Sequence, residues 1–132
     1  MQTKHVLGHA EVMRILAAAR EEALANQWAV SLAVVDDGGH LLGLERLDGA
    51  TASSAYIATE KARTSALGRR ESGFYEQVVN GGRTAFLSAP LLTSLEGGVP
   101  IQYEGQVIGA VGVSGVKSEQ DAQVARKGAE AV

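Results

Sequence analysis

The sequence predicts an α+β fold, in which helices pack on an antiparallel sheet. The prediction rests on two pairs of apolar segments, each joined by a short turn that contains glycine, which is the pattern of a β-hairpin. The four segments are residues 30–35, 41–47, 99–103 and 106–113. Helix-forming stretches precede, separate and follow the hairpins, and this order indicates a sheet with helices on its faces.

Two long helices are predicted from residues at helical spacing. Residues 8–25 carry one apolar stripe, which consists of Val12, Ile15, Leu16, Ala19 and Ala23. Residues 51–67 carry a stripe of small side chains, which consists of Ala52, Ala55, Thr59, Ala62 and Ala66. A small-sided stripe lets a neighbouring element approach closely, and Gly68 is expected to cap this helix.

The remaining elements are shorter. Residues 71–79 are predicted to form a short helix, and residues 83–96 short strands or loop with a buried apolar part. The last helix is expected to begin near Ser118, because Asp121 follows three residues later as in a capping box.

Composition limits the classes of function. The 132 residues suffice for one domain, residues 1–132, and the net charge of −3 with no basic tract argues against nucleic acid as a partner. The absence of cysteine excludes disulfides, thiol catalysis and cysteine-based zinc sites. Since the first twenty residues lack a long apolar run, neither a signal peptide nor a membrane helix is predicted, and the cytoplasm is the expected location.

The second hairpin carries glycine at every third position, at Gly109, Gly112 and Gly115. This spacing is not that of a dinucleotide-binding loop, and Val116 stands where a phosphate-binding loop needs glycine before its Lys-Ser pair. Glycine inside a strand marks close approach of another element. The pattern therefore predicts a tightly packed strand rather than a phosphate site.

The three histidines are His5, His9 and His40. His40 follows the first turn and could serve as a haem axial ligand, with a solvated turn histidine as the simpler interpretation. His5 and His9 are four residues apart and could share a helix face, but two histidines near a terminus specify a metal poorly. No metal site is predicted.

The best-defined charged group contains Arg46, Lys61 and Arg63. These cations could hold the carboxylate of a small acid or the propionates of haem. The simpler interpretation is a solvated helix face with one salt bridge, between Glu60 and Arg63. No catalytic set is evident, and Asp36 with Lys61 is the only acid–base pair that can be nominated.

Several motifs in one order resemble the GlcG/HbpS family, most closely its glycolate-operon GlcG branch. These motifs are residues 34–42, 46–50, 60–71, 92–100, 107–115 and 119–122. The resemblance implies a profilin-like fold with a five-stranded antiparallel sheet, and homo-oligomers that are often large. It also implies that some relatives bind haem or other tetrapyrroles, while others are accessory proteins of small-acid or diol catabolism. Val116 and Ala122 depart from the family pattern and put any role of an acid at position 122 in doubt.

Together these observations predict a non-catalytic, cytoplasmic, oligomeric accessory or sensor protein of small-acid catabolism of the glycolate type. Its ligand would be haem or a small carboxylate, bound by His40, Arg46, Lys61 and Arg63. Two alternatives stay open: an enzyme acting on a two-carbon hydroxy acid, and a structural oligomer without a ligand.

Overall fold

The computed structural model describes residues 1–132 and contains one antiparallel sheet of four strands. The strands are β1 (Ser31–Asp36), β2 (Leu41–Arg46), β3 (Gly98–Tyr103) and β4 (Gln106–Ser114). Their order across the sheet is β2-β1-β4-β3, so that the two hairpins lie side by side. The α+β class and both predicted hairpins are confirmed.

Four α-helices and one 3₁₀ helix surround this sheet. They are α1 (His9–Ala25), α2 (Ala52–Gly68), α3 (Gly73–Asn80), the 3₁₀ helix (Thr84–Ser88) and α4 (Ser118–Ala129). The predicted bounds of α1, α2 and α3 agree to within two residues at each end, and α4 begins at the predicted Ser118. The 3₁₀ helix lies in the segment for which short strands or loop were expected. No helix has the length and apolarity that crossing a bilayer would require.

The five-stranded sheet implied by the resemblance is wrong, because the chain before β3 does not enter the ladder. Pro90 has no N–H to donate, and Leu91 has a left-handed φ of 59° that a strand does not accommodate. The predicted burial of this segment is also wrong, since Leu87 and Leu91 are 65% and 61% exposed. The profilin-like kinship stays a prediction.

The side chains of β1 alternate between the two faces of the sheet. Leu32 and Val34 join a large cluster with α1 and α4, whereas Ala33 and Val35 join a small alanine-rich cluster with α2. The five apolar residues predicted for α1 are all buried. The structure is therefore a three-layer arrangement whose α2 side is the thinner one.

The predicted stripe of α2 is only partly right. Ala62 and Ala66 are buried, but the N-terminal part of the helix turns Ser54 and Ala58 to the sheet instead of Ala52 and Ala55. The Ser54 and Ser31 hydroxyls lie 2.8 Å apart. This hydrogen bond lets a polar residue occupy a position that apolar periodicity does not predict.

Close packing of the glycine hairpin against α2 is confirmed. A Cβ atom added to Gly112 would lie 2.0 Å from the Ala58 carbonyl oxygen, and one added to Gly98 would lie 2.2 Å from that of Lys61. Gly98 and Gly112 are partners in the β3–β4 register. The backbone of α2 thus rests on two adjacent strands where neither has a side chain.

The cap predicted at Gly68 is wrong. Arg69 provides the left-handed residue at the end of α2, with φ of 56°. Gly68 is needed for a different reason, because a Cβ atom there would lie 2.2 Å from the Tyr75 hydroxyl. The glycine therefore serves the packing of Tyr75 against α2, and it stands one residue before the left-handed position at which helices commonly carry glycine.

The Ser118–Asp121 capping box is also wrong. The N-cap of α4 is Lys117, and its backbone N–H donates to Gln120 Oε1 at 3.3 Å. Because Gln120 caps the helix, the Asp121 side chain does not take part in the cap and points into the molecule.

Candidate functional site

Lys61 lies inside the molecule and not in a surface ligand group. Its ammonium donates to the Val113 carbonyl at 3.0 Å and to Asp121 Oδ2 at 3.1 Å. The Lys61 and Asp121 side chains are only 5% and 3% exposed. The lysine therefore has no free donor directed to solvent with which it could hold an external carboxylate.

The second hairpin makes room for this ion pair. A Cβ atom on Gly97 would lie 2.8 Å from Lys61 Nζ, and the Val116 N–H donates to Asp121 Oδ1 at 3.2 Å. Burial raises the pKa of Asp121, and the charge and hydrogen bond of Lys61 lower it in part. The net effect is a pKa above the usual value for aspartate.

His40 lies at the turn between β1 and β2 and is held there by Asp36. Asp36 Oδ1 accepts hydrogen bonds from the backbone N–H groups of Gly38 and His40, each at 2.9 Å, and lies 3.1 Å from His40 Nδ1. The His40 side chain is 80% exposed. The turn therefore positions the ring, but leaves most of it in solvent.

Arg63 joins His40 at this turn, whereas Arg46 does not. Arg63 Nε donates to the Gly39 carbonyl at 3.3 Å, and its guanidinium pairs with Glu60, which confirms the predicted salt bridge. Arg46 donates to the Ala50 carbonyl at 3.0 Å, at the far end of β2. The structure brings two of the four predicted ligand residues together and separates the others.

The nominated acid–base pair is not formed. Asp36 is paired with Gly109 on β4, while Lys61 Nζ lies at Val113 of the same strand. Four residues of extended strand separate these positions, which is roughly 13 Å. Proton transfer between Asp36 and Lys61 would need a much shorter distance.

A groove formed with the N-terminal segment was not predicted. Its volume is about 330 Å³. The lining residues are mostly apolar and are His5, Val6, Leu7, Glu11, Arg14, Tyr103, Ile108 and Val132. The sequence signal was the pair Val6-Leu7 directly after His5, because an apolar pair before an amphipathic helix indicates a segment that packs on the fold.

His5 is the one histidine of the three that lines this groove. Its Nε2 atom lies 3.1 Å from Glu104 Oε2, and its ring meets Tyr103 edge to face at 4.7 Å. Nδ1 makes no hydrogen bond, and neither does the guanidinium of Arg14. The groove thus combines an apolar wall, an oriented imidazole with a free nitrogen and an unpaired cation.

An α+β sheet of this order, covered by helices on both faces, is shared with known proteins. The chain belongs to the HbpS-like family, described as haem degrading protein HbpS-like, whose model matches residues 7–130. Protein GlcG of Escherichia coli K12 is 61% identical over 114 residues, which cover 86% of this chain and 85% of that protein. An uncharacterized 15.0 kDa protein from the dhaT–dhaS intergenic region of Citrobacter freundii is 33% identical over 116 residues, covering 85% and 82%. The predicted GlcG/HbpS kinship is confirmed.

Solved structures agree over nearly the whole chain. Protein ORFY of Klebsiella pneumoniae has a TM-score of 0.91 at 30% identity and covers 99% of this chain and 93% of its own. A double mutant of Streptomyces reticuli HbpS gives 0.88 at 30% identity, with 98% and 89% covered. A PduOC complex with heme gives 0.86 at 26% identity, with 97% and 96% covered.

Proposed function

We propose that this chain is a haem-binding, non-catalytic accessory or sensor protein of small-acid catabolism of the glycolate type, located in the cytoplasm. The observation that carries the proposal is the apolar groove with His5 on its wall. The family description and the heme complex of PduOC support the same cofactor.

The residues of the groove fit a tetrapyrrole. Histidine ligands commonly hold their second ring nitrogen against a carboxylate, and Glu104 occupies that position at His5. Arg14 is available for a propionate. A volume near 330 Å³ lies at the lower end of small-molecule sites, so the groove would cover the macrocycle on one side only.

The test is a hemin titration followed by absorbance in the Soret region. We expect a Soret shift relative to free hemin that saturates at one hemin per chain. If two chains share one hemin, the shift should saturate at half that ratio. His5→Ala should abolish the shift, because the imidazole is the proposed axial ligand.

His9→Ala and His40→Ala are the matched controls. His9 is exposed and does not line the groove, and His40 is exposed at the other hairpin turn, between β1 and β2. Both variants should keep the shift. Loss in His40→Ala with retention in His5→Ala would return the ligand to His40, and a spectrum equal to that of free hemin would overturn haem binding.

Haem degradation appears in the family description, and turnover would contradict the non-catalytic part of the proposal. With ascorbate in air, the Soret band of bound hemin should therefore decay no faster than that of a free-hemin control. Faster loss would show an enzyme. A protein that retains no small molecule through purification and binds none when it is added would support the alternative of a structural oligomer without a ligand.

Self-association is part of the proposal, and β2 supports it. This edge strand has one unpaired side and exposes leucine side chains, with Leu41 at 48% and Leu44 at 42%. Unprotected apolar edge strands pair readily with another chain. A second copy placed there would cover them.

A further inference from the structure

A second, polar cleft lies between the N-terminal segment and the two hairpin turns. Its volume is about 380 Å³. The lining residues are almost all polar and are Gln2, Thr3, Lys4, Asp37, Arg69, Gly105, Gln106 and Val107. The groove of His5 shares none of these lining residues, although Lys4 and His5 are neighbours in the chain.

Arg69 is an unpaired cation in this cleft. Its guanidinium makes no hydrogen bond or salt bridge, unlike that of Arg70, which lies 4.1 Å over the Phe74 ring. Arg69 is the left-handed residue at the end of α2, with φ of 56°. The helix thus ends by presenting a free guanidinium at the cleft.

Lys4 is the second cation, and it is already oriented. Its ammonium donates to Asp37 Oδ2 at 2.8 Å. The hydrogen bond and charge of Asp37 raise the pKa of Lys4, so that the amine stays protonated. Two cations and one carboxylate line the cleft, which gives the lining one net positive charge.

We propose that this cleft binds a small oxyanion, a carboxylate or a phosphate group, between Arg69 and Lys4. Guanidinium groups bind two oxygens of such a group at once. The amides of Gln2 and Gln106 and the hydroxyl of Thr3 provide further polar partners for substituents. This proposal does not require haem binding at His5.

The experiment is an NMR titration of the full chain, labelled with ¹⁵N, with acetate, glycolate and inorganic phosphate as separate probes. Saturable shifts are expected at Arg69 Nε and at the backbone amides of Lys4 and Gly105. The three probes distinguish the source, because a carboxylate site responds to acetate and glycolate and a phosphate site to phosphate. Glycolate binding more tightly than acetate would show that the amides contact a hydroxyl group.

Arg69→Gln should weaken binding about tenfold or more, because a charge-assisted pair of hydrogen bonds is lost. Arg70→Gln is the matched control and should leave the affinity unchanged. Asp37→Asn should tighten binding several-fold, because it removes the one negative charge and releases Lys4. These residues lie on the surface, so the amide spectrum outside the cleft should be preserved.

Each contrary outcome overturns the proposal. No saturable shift at the cleft with any probe would exclude the site, and so would equal affinity in Arg69→Gln and Arg70→Gln. Weaker anion binding in Asp37→Asn would contradict the proposal, because removal of a negative charge and release of Lys4 should both favour an anion. A hemin titration that fails in the same sample would affect only the groove of His5.

Discussion

The Lys61 ammonium on α2 lies 3.1 Å from Asp121 Oδ2 on α4, so one buried ion pair joins helices on opposite faces of the sheet. Burying two charges is costly unless their remaining polar atoms are also bonded. The Val113 carbonyl and the Val116 N–H fulfil that condition here. The pair therefore fixes how the two helical layers are placed relative to the second hairpin.

Replacing Lys61 by methionine should destabilise the protein by about 3–5 kcal/mol, because an unpaired carboxylate is then left buried. Urea unfolding at neutral pH measures this free energy. The loss should be smaller near pH 4, where protonation of Asp121 removes the unpaired charge. The sign follows from burial, which raises the pKa of Asp121 and so favours its protonated form.

Lys127→Met on the exposed side of α4 is the control and should change the free energy of unfolding by less than about 0.5 kcal/mol. The double variant Lys61→Met with Asp121→Leu should recover part of the loss, because neither charge remains. A cost below about 1 kcal/mol for Lys61→Met would contradict the role given to the pair.

Asp36→Asn should destabilise the protein more at pH 7 than near pH 3. Desolvation raises the pKa of Asp36, but hydrogen bonds from the His40 and Gly38 N–H groups and from the His40 ring outweigh it, so the net pKa is lowered. A carboxylate with a lowered folded-state pKa adds stability above its unfolded pKa and loses it as the pH falls through the folded pKa.

Unfolding curves of wild type and Asp36→Asn at the two pH values give this difference. Asp48→Asn is the matched control, because Asp48 is exposed and its carboxylate accepts no hydrogen bond. An equal cost of Asp36→Asn at both pH values would refute the stabilising role of the turn.

Gly112→Ala should cost about 3 kcal/mol or more. The added methyl group would lie 2.0 Å from the Ala58 carbonyl oxygen, and backbone atoms of α2 must move to admit it. Gly8→Ala is a suitable comparison, because its methyl group would meet only the flexible Glu11 carboxylate. Thermal unfolding of both variants should show a large fall in melting temperature for Gly112→Ala alone.

Leu44→Lys should lower the mass of the assembly observed by native mass spectrometry, because it places a charge on the exposed edge strand β2. Leu24→Lys tests a leucine of similar chemistry on α1, where 60% of the residue is exposed, and should leave the mass unchanged. A wild-type chain that is monomeric at about 100 μM would refute the proposed self-association, because the dissociation constant of a specific assembly lies well below that concentration.

The hairpins and helices were predictable because their signals are local. Apolar spacing within 8–25 and turn chemistry at 36–39 each act over a few residues. The loop before β3 was harder, since its exposed leucines resemble a buried segment in sequence. Whether such residues are covered depends on elements distant in the chain.

The sequence by itself determined the α+β class, the two hairpins, the tight packing of the glycine strand and the family, because these depend on local patterns and ordered motifs. The tertiary structure decided which charges are available. It buried Lys61 against Asp121, sixty residues away, and left Arg69 unpaired beside Lys4. Sequence spacing does not encode such long-range neighbours, since burial and pairing arise only when the layers close over one another.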